Sequence, residues 1–66
     1  MKEILIDIYE LLVNDNIVIF SIVKKDENYI VEKCTVSNDC ISLIYNETFN
    51  TFKKAKIVYN NLIATK

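Results

Sequence analysis

The chain has 66 residues and a formal net charge of −1, and 52% of its residues are hydrophobic. This composition is too apolar for a disordered chain, and no apolar run reaches the roughly 20 residues of a membrane-spanning helix. The sequence contains no histidine and no glycine, so it lacks a histidine-assisted nucleophile, a histidine zinc ligand and a glycine-rich phosphate loop. We therefore expect a single domain over residues 1–66 that is not an enzyme and holds no cofactor or metal.

The N-terminus and the residue usage give two further expectations. The segment MKEILIDIYELL has acids within its apolar part and no small-residue cleavage site, so we expect a cytoplasmic protein without a signal peptide. Isoleucine, asparagine and lysine are abundant, as in AT-rich genomes. Together with the small size, this usage suggests a low-GC source, such as a phage or other mobile element.

The first predicted element is a helix from Lys2 to Val13. Its apolar residues follow the three- and four-residue spacing of an amphipathic helix. These residues are Ile4, Leu5, Ile8, Leu11 and Leu12. Several of its residues are β-branched, which lowers helix propensity, so the segment could begin as a strand instead.

Three strands of an antiparallel meander are predicted next, over residues 16–25, 29–36 and 40–45. A two-residue turn at Asn38-Asp39 pairs Val36 with Ile41, and a loop centred on Asp26-Glu27 places Val23 opposite Ile30. The same register places Glu32 opposite Ser21, either as a buried carboxylate with a raised pKa or at a water-accessible position.

This register divides the predicted sheet into two faces. The core face is expected to hold Ile17, Ile19, Val23, Ile30, Cys34, Val36, Ile41, Leu43 and Tyr45. The reverse face is expected to hold Val18, Phe20, Ile22, Tyr29, Val31 and Ile44. A strand with one wet face would alternate apolar and polar residues, whereas the segment NIVIFSIV is apolar on both sides.

A final helix is predicted from Thr48 to Ala64, with Asn46, Thr48 or Asn50 as candidate N-caps. Its apolar stripe comprises Phe49, Phe52, Ala55, Tyr59, Leu62 and Ile63. The predicted fold class is therefore α+β, with the order α-β-β-β-α and both helices packed on the core face. The acids Glu3, Asp7 and Glu10 of the first helix are expected beside the lysines of the last.

The two cysteines, Cys34 and Cys40, lie five residues apart on either side of the Asn38-Asp39 turn. A two-residue turn points them to opposite faces, which opposes a disulfide. We expect a buried structural thiol at Cys34 and a free thiol at Cys40.

Three lysines near the start of the last helix, Lys53, Lys54 and Lys56, raise the possibility of nucleic-acid binding. With the predicted element order, they are similar to the double-stranded RNA-binding domain. That resemblance implies lysine contacts to phosphates across a groove. The alternative is a solvated helix face beside an acidic neighbour.

The reverse face is the preferred functional surface. A contiguous apolar patch of Val18, Phe20, Ile22, Tyr29, Val31 and Ile44 would mark an interface, unless a helix covers that side and makes a three-layer sandwich. We expect a non-enzymatic protein-interaction module that forms a homodimer or binds a host protein by stoichiometric occlusion. A nucleic-acid-binding module that uses Lys53, Lys54 and Lys56 is the alternative.

Overall fold

The computed structural model describes residues 2–65 and has an α+β fold. Four strands form one antiparallel meander in the order β1-β2-β3-β4, and one helix follows. The elements are β1 (Glu3–Val13), β2 (Asn16–Lys25), β3 (Asn28–Ser37), β4 (Cys40–Phe49) and α1 (Phe52–Ala64). The α+β class is therefore confirmed, whereas the expected three strands and two helices are replaced by four strands and one helix.

The predicted N-terminal helix is wrong, because this segment forms β1. It pairs with β2 from Glu3 opposite Lys25 to Val13 opposite Asn16. The β-branched residues in this segment favour an extended backbone. The pairing also satisfies one edge of β2, which a helix at this position would leave without backbone partners.

Asparagine and aspartate make all three hairpin turns, in the absence of glycine. Asn14 and Asp15 have φ of 49° and 67°, and Asn38 and Asp39 have φ of 49° and 65°. Positive φ at both central residues is the geometry of a type I′ turn, whose twist suits two antiparallel strands. Asp26 has φ of 57° in the third turn. These turns fix the strand register.

The predicted register is confirmed across β2, β3 and the first half of β4. Val23 lies opposite Ile30, and Val36 lies opposite Ile41. A β-bulge at Ile44 then shifts β4, so that Tyr45 lies opposite Lys33. Tyr45 therefore packs on the side of Phe20 and not, as predicted, beside Leu43. A second bulge lies at Ile6, between Leu5 and Asp7 of β1.

Helix α1 begins after Thr51, whose hydroxyl accepts a hydrogen bond from the Lys54 amide at 3.3 Å. The helix starts later than predicted, because residues 46–49 continue β4 and none of the three predicted N-caps is used. Ala55 and Tyr59 of α1 are buried against the sheet. The Tyr59 hydroxyl is buried and has no hydrogen-bond partner within residues 2–65.

The helix covers the face that was predicted to be uncovered. We call it the helix face; its fully buried strand residues are Phe20, Ile22 and Val31. Around them pack Val18, Tyr29, Tyr45, Phe49, Val58, Leu62 and Ile63. With a single helix in the fold, the other face of the sheet has no element of residues 2–65 packed across it.

Candidate functional site: the open face of the sheet

The uncovered side of the sheet, here called the open face, is defined by the strand register. Residues directly opposite each other on paired antiparallel strands project to the same face. On the central strands, the open face comprises Ile17, Ile19, Ser21, Val23, Ile30, Glu32, Cys34 and Val36. On the edge strands, it comprises Leu5, Ile8, Glu10, Leu12, Ile41, Leu43, Asn46 and Thr48.

These residues form four rows across the strands, each named here after its β2 residue. Row 17 is Leu12, Ile17, Val36 and Ile41, and row 19 is Glu10, Ile19, Cys34 and Leu43. Row 21 is Ile8, Ser21, Glu32 and Asn46, and row 23 is Leu5, Val23, Ile30 and Thr48. Row 17 is wholly aliphatic, rows 19 and 23 are mostly apolar, and row 21 is polar in three of its four positions.

The open face leaves many aliphatic side chains exposed to solvent. The exposed fraction is 71% for Leu12, 73% for Ile41, 57% for Leu43 and 56% for Leu5. Antiparallel sheets that face water on one side carry mainly polar residues there. Contiguous exposed aliphatic surfaces are uncommon on monomeric proteins and are typical of interaction sites.

The dimensions of the open face match those of a protein interface. The four strands lie about 4.8 Å apart and rise about 3.3 Å per residue over ten or eleven residues, so the sheet has a face of about 19 × 33 Å. Two such faces of roughly 600 Å² each reach the lower end of the roughly 1,200–2,000 Å² in total that stable protein–protein interfaces bury. The solvent-accessible surface is 4738 Å², whereas a compact monomer of 7.7 kDa exposes about 4,300 Å². The chain therefore exposes more surface than its mass requires.

Row 21 places a carboxylate within the open face. Glu32 lies opposite Ser21 on one side and Asn46 on the other. The Asn46 side-chain amide donates a hydrogen bond to Glu32 Oε2 at 2.7 Å. Within residues 2–65, Glu32 Oε1 and the Ser21 hydroxyl have no side-chain hydrogen bond, so both remain able to bind an incoming group.

The thiol of Cys34 is free and half-buried in row 19. Burial raises its pKa above the ordinary value of a cysteine thiol, and the nearby negative charge of Glu32 raises the pKa further. Cys40 is free and exposed, and its pairing opposite Ser37 places it on the other face from Cys34. The predicted opposite orientation of the two thiols is confirmed by this register, although Cys34 is only half-buried.

The predicted interface residues do not form an exposed patch. Phe20, Ile22 and Val31 are fully buried beneath α1, and Val18 and Tyr29 pack around them. Ile44 is 55% exposed at the β4 bulge. The expectation that both sheet faces carry apolar residues holds, but the uncovered surface consists of the residues that were assigned to the core.

The three lysines of the alternative prediction are not equivalent. Lys53 and Lys54 are exposed in the first turn of α1. Lys56 is half-buried; its ammonium lies 3.7 Å from an Asp7 carboxylate oxygen and 5.2 Å from the centre of the Tyr59 ring. The expected proximity of acids and lysines is thus seen for Asp7 and Lys56. The double-stranded RNA-binding resemblance loses its first helix, because β1 replaces it.

Residues 2–65 contain no pocket for a small molecule and no group of three potential metal ligands. None of the helices in this part of the chain is long and apolar enough to cross a membrane.

The chain was also compared with known proteins, and no protein-family model, curated protein or solved structure matches it.

Proposed function

We propose that this protein is a non-enzymatic, cytoplasmic interaction module that self-associates by packing its open face against that of a second copy. The carrying observation is the aliphatic surface that one helix leaves uncovered. Two sheets packed in this way lie about 10 Å apart and interdigitate their side chains. A host protein that binds the same face in place of the second copy would have its own surface covered one-to-one, which is stoichiometric occlusion.

The area and the size of the core support a second copy as the partner. Two faces of roughly 600 Å² each reach the lower end of the roughly 1,200–2,000 Å² in total that stable interfaces bury. Five residues of the described chain form the buried core. A domain of this size rarely obtains more than about 3–5 kcal/mol from a single core, so burial of a second apolar face adds stabilisation that the monomer lacks.

The distribution of charge also supports self-association. Rows 17 and 23 are uncharged, and the acids in the other two rows are Glu10, on an edge strand, and Glu32, which accepts a hydrogen bond from Asn46. Glu3 and Lys25 lie opposite each other beyond row 23, at one end of the face. Charged residues are depleted in the centre of protein interfaces. Glu32 is the one charge of the four rows that lies on a central strand, and the hydrogen bond from Asn46 reduces the cost of burying it in a dimer.

The test is the solution mass, measured by size exclusion with light scattering over a range of concentrations. We expect a mass near twice 7.7 kDa for the wild type. Ile19→Lys places an ammonium group at the centre of the open face, where it would be desolvated in the dimer. We expect this variant to weaken the dimer by roughly a hundredfold or more, since an unpaired buried charge costs several kcal/mol.

The matched control is Ile57→Lys, which makes the same substitution on α1. Ile57 is 52% exposed and lies outside the open face, so this variant should keep the dimeric mass. A wild type that is monomeric at high concentration would contradict the proposal. So would an Ile19→Lys variant that dimerises as well as the Ile57→Lys control.

A gel shift with duplex RNA or DNA tests the alternative of phosphate binding by Lys53, Lys54 and Lys56. Binding through phosphates must weaken steeply with salt. Retention of the duplex by a monomeric protein at low salt, lost in a Lys53→Ala/Lys54→Ala variant, would favour a nucleic-acid module over the interaction module.

A further inference from the structure

We infer that row 21 sets the arrangement of the dimer, with a two-fold axis parallel to the strands that brings Ser21 of each copy against Glu32 of the other. This inference rests on the proposed self-association and specifies its geometry. It assigns Ser21 and Glu32 as the residues that determine orientation, whereas the aliphatic rows supply the buried area.

Two identical sheets can pack face to face around two kinds of in-plane axis while their strands remain aligned. An axis parallel to the strands places each row on the same row of the second copy, with β2 over β3. An axis perpendicular to the strands instead places row 17 over row 23 and row 19 over row 21. The two arrangements bury similar area, so the chemistry of the rows decides between them.

The perpendicular axis creates a mismatch at Glu32. Its carboxylate would lie over Cys34 of the second copy, in a row that also holds Ile19 and Leu43. A desolvated carboxylate that faces an aliphatic row, with only the weak S–H donor of a thiol as partner, is unfavourable. Ser21 would likewise face Ile19 of the second copy, with no acceptor for its hydroxyl.

The parallel axis removes this mismatch. Ser21 lies on β2 and Glu32 on β3 in the same row, so the hydroxyl of each copy faces the carboxylate of the other. Glu32 Oε2 already accepts a hydrogen bond from Asn46, and Oε1 is available for the hydroxyl. The aliphatic row 17 of one molecule then packs against row 17 of the other. Burying polar groups only where partners match is a known means of fixing register.

An orthogonal arrangement, with the strands of the two sheets crossed, is also disfavoured. The sheet is about 33 Å long and about 19 Å wide, so crossed sheets leave both ends of each face uncovered. Row 17, the most apolar row, lies at one of these ends.

Cross-linking between single cysteines tests the arrangement. Ile17→Cys and Val23→Cys are each made in a Cys34→Ser/Cys40→Ser background, mixed in equal amounts in urea, refolded together and treated with a short bismaleimide linker. Positions 17 and 23 are separated by six residues, or about 20 Å along β2. With the parallel axis, each position lies near the same position of the second molecule, so mass spectrometry should show 17–17 and 23–23 products.

The outcomes separate the inference from the proposed function. A dimeric mass with mainly 17–23 products would establish the perpendicular axis and overturn the inference. A dimeric mass without cross-links would point to crossed sheets and overturn it as well. A monomeric mass of the parent Cys34→Ser/Cys40→Ser protein, with a monomeric wild type, would instead overturn the proposed self-association.

The role of Glu32 has its own test in the same assay. Glu32→Leu removes the carboxylate, so we expect 17–23 products to increase at least fivefold as the perpendicular arrangement becomes accessible. Glu10→Leu is the control, because it removes a carboxylate from the same face at an edge strand, and it should leave the product ratio unchanged. An unchanged ratio in Glu32→Leu would show that row 21 does not determine the orientation.

Discussion

An isoleucine-to-alanine substitution on each side of the sheet tests which face α1 covers. Ile22 on β2 is fully buried beneath α1, and Ile30 on β3 is half-buried on the open face. Both lie on central strands, so backbone pairing is the same for each. Ile22→Ala and Ile30→Ala therefore differ mainly in the surroundings of the side chain that is removed.

The expected losses differ by about threefold. Truncation of a fully buried isoleucine costs about 2–5 kcal/mol, because it loses apolar burial and leaves a cavity. A half-exposed isoleucine loses less area and leaves no closed cavity, so we expect about 1 kcal/mol for Ile30→Ala. Since a core of this size supplies about 3–5 kcal/mol, Ile22→Ala should leave a large share of the chains unfolded even without urea.

Urea unfolding followed by circular dichroism measures these losses, in the Ile19→Lys background so that self-association does not contribute. At a slope of about 1 kcal/mol/M, Ile22→Ala should lower the midpoint by about 2–5 M and Ile30→Ala by about 1 M. If the two variants lose equal stability, or Ile30→Ala loses more, Ile22 is not in the core and the open face is not exposed to solvent, which would refute this assignment of the two faces.

Three further predictions follow from single groups. Tyr59→Phe removes a buried hydroxyl without a hydrogen-bond partner, so the unfolding free energy in urea titration should stay unchanged or rise by up to about 1 kcal/mol. A loss of unfolding free energy larger than that of Tyr45→Phe would contradict this expectation. The raised pKa of Cys34 keeps its thiol protonated at pH 8. Glu32→Gln removes a nearby negative charge, so it should lower this pKa and speed the alkylation of Cys34 by iodoacetamide. An unchanged alkylation rate would exclude Glu32 as a cause of the raised pKa. Asp39→Gly should raise the thermal midpoint, with a gain of about 0.5–1 kcal/mol, because Asp39 has φ of 65° in a turn that prefers Asn-Gly; a lower midpoint would argue against the type I′ geometry.

The register was predictable from the sequence because it depends on short-range information. The Asn38-Asp39 turn alone fixes Val36 opposite Ile41, and alternation carries that pairing along β3. The prediction failed only beyond Ile44, where a bulge adds one residue to β4 and turns Tyr45 to the other face. A bulge has no glycine signal here, so its position could not be read from the residues.

The N-terminal strand resembled a helix for a related reason. The bulge at Ile6 increases the spacing between the open-face residues Leu5 and Ile8 from two to three. Leu11 and Leu12 then project to opposite faces of β1, and their adjacency completes a pattern of helical spacing. The β-branched residues were the correct signal, and the apolar period was misleading.

The covered face could not be chosen from the strands alone, because both sides of β2 are apolar. One signal was present in residue size: the aromatic side chains Phe20 and Tyr29 lie on the face that α1 covers, and the Phe52 ring of α1 packs against Tyr29 with ring centres 5.8 Å apart. The open face is instead built mainly from aliphatic residues of similar height. Large rings fit the uneven space beneath a helix, whereas an even aliphatic surface suits another sheet.

The replacement of the first helix by β1 also gives the open face its significance. Two helices could have covered both sides of a three-stranded sheet, but one helix of 13 residues can cover only one side of four strands. In a monomer, polar side chains in place of Leu12, Ile17 or Ile41 would leave the backbone pairing of the strands unchanged and would be better solvated. Aliphatic residues at these positions stabilise the protein only when another surface covers them. We propose a second copy as that surface, because it carries the same rows and its polar row 21 would meet the equivalent row around an axis parallel to the strands.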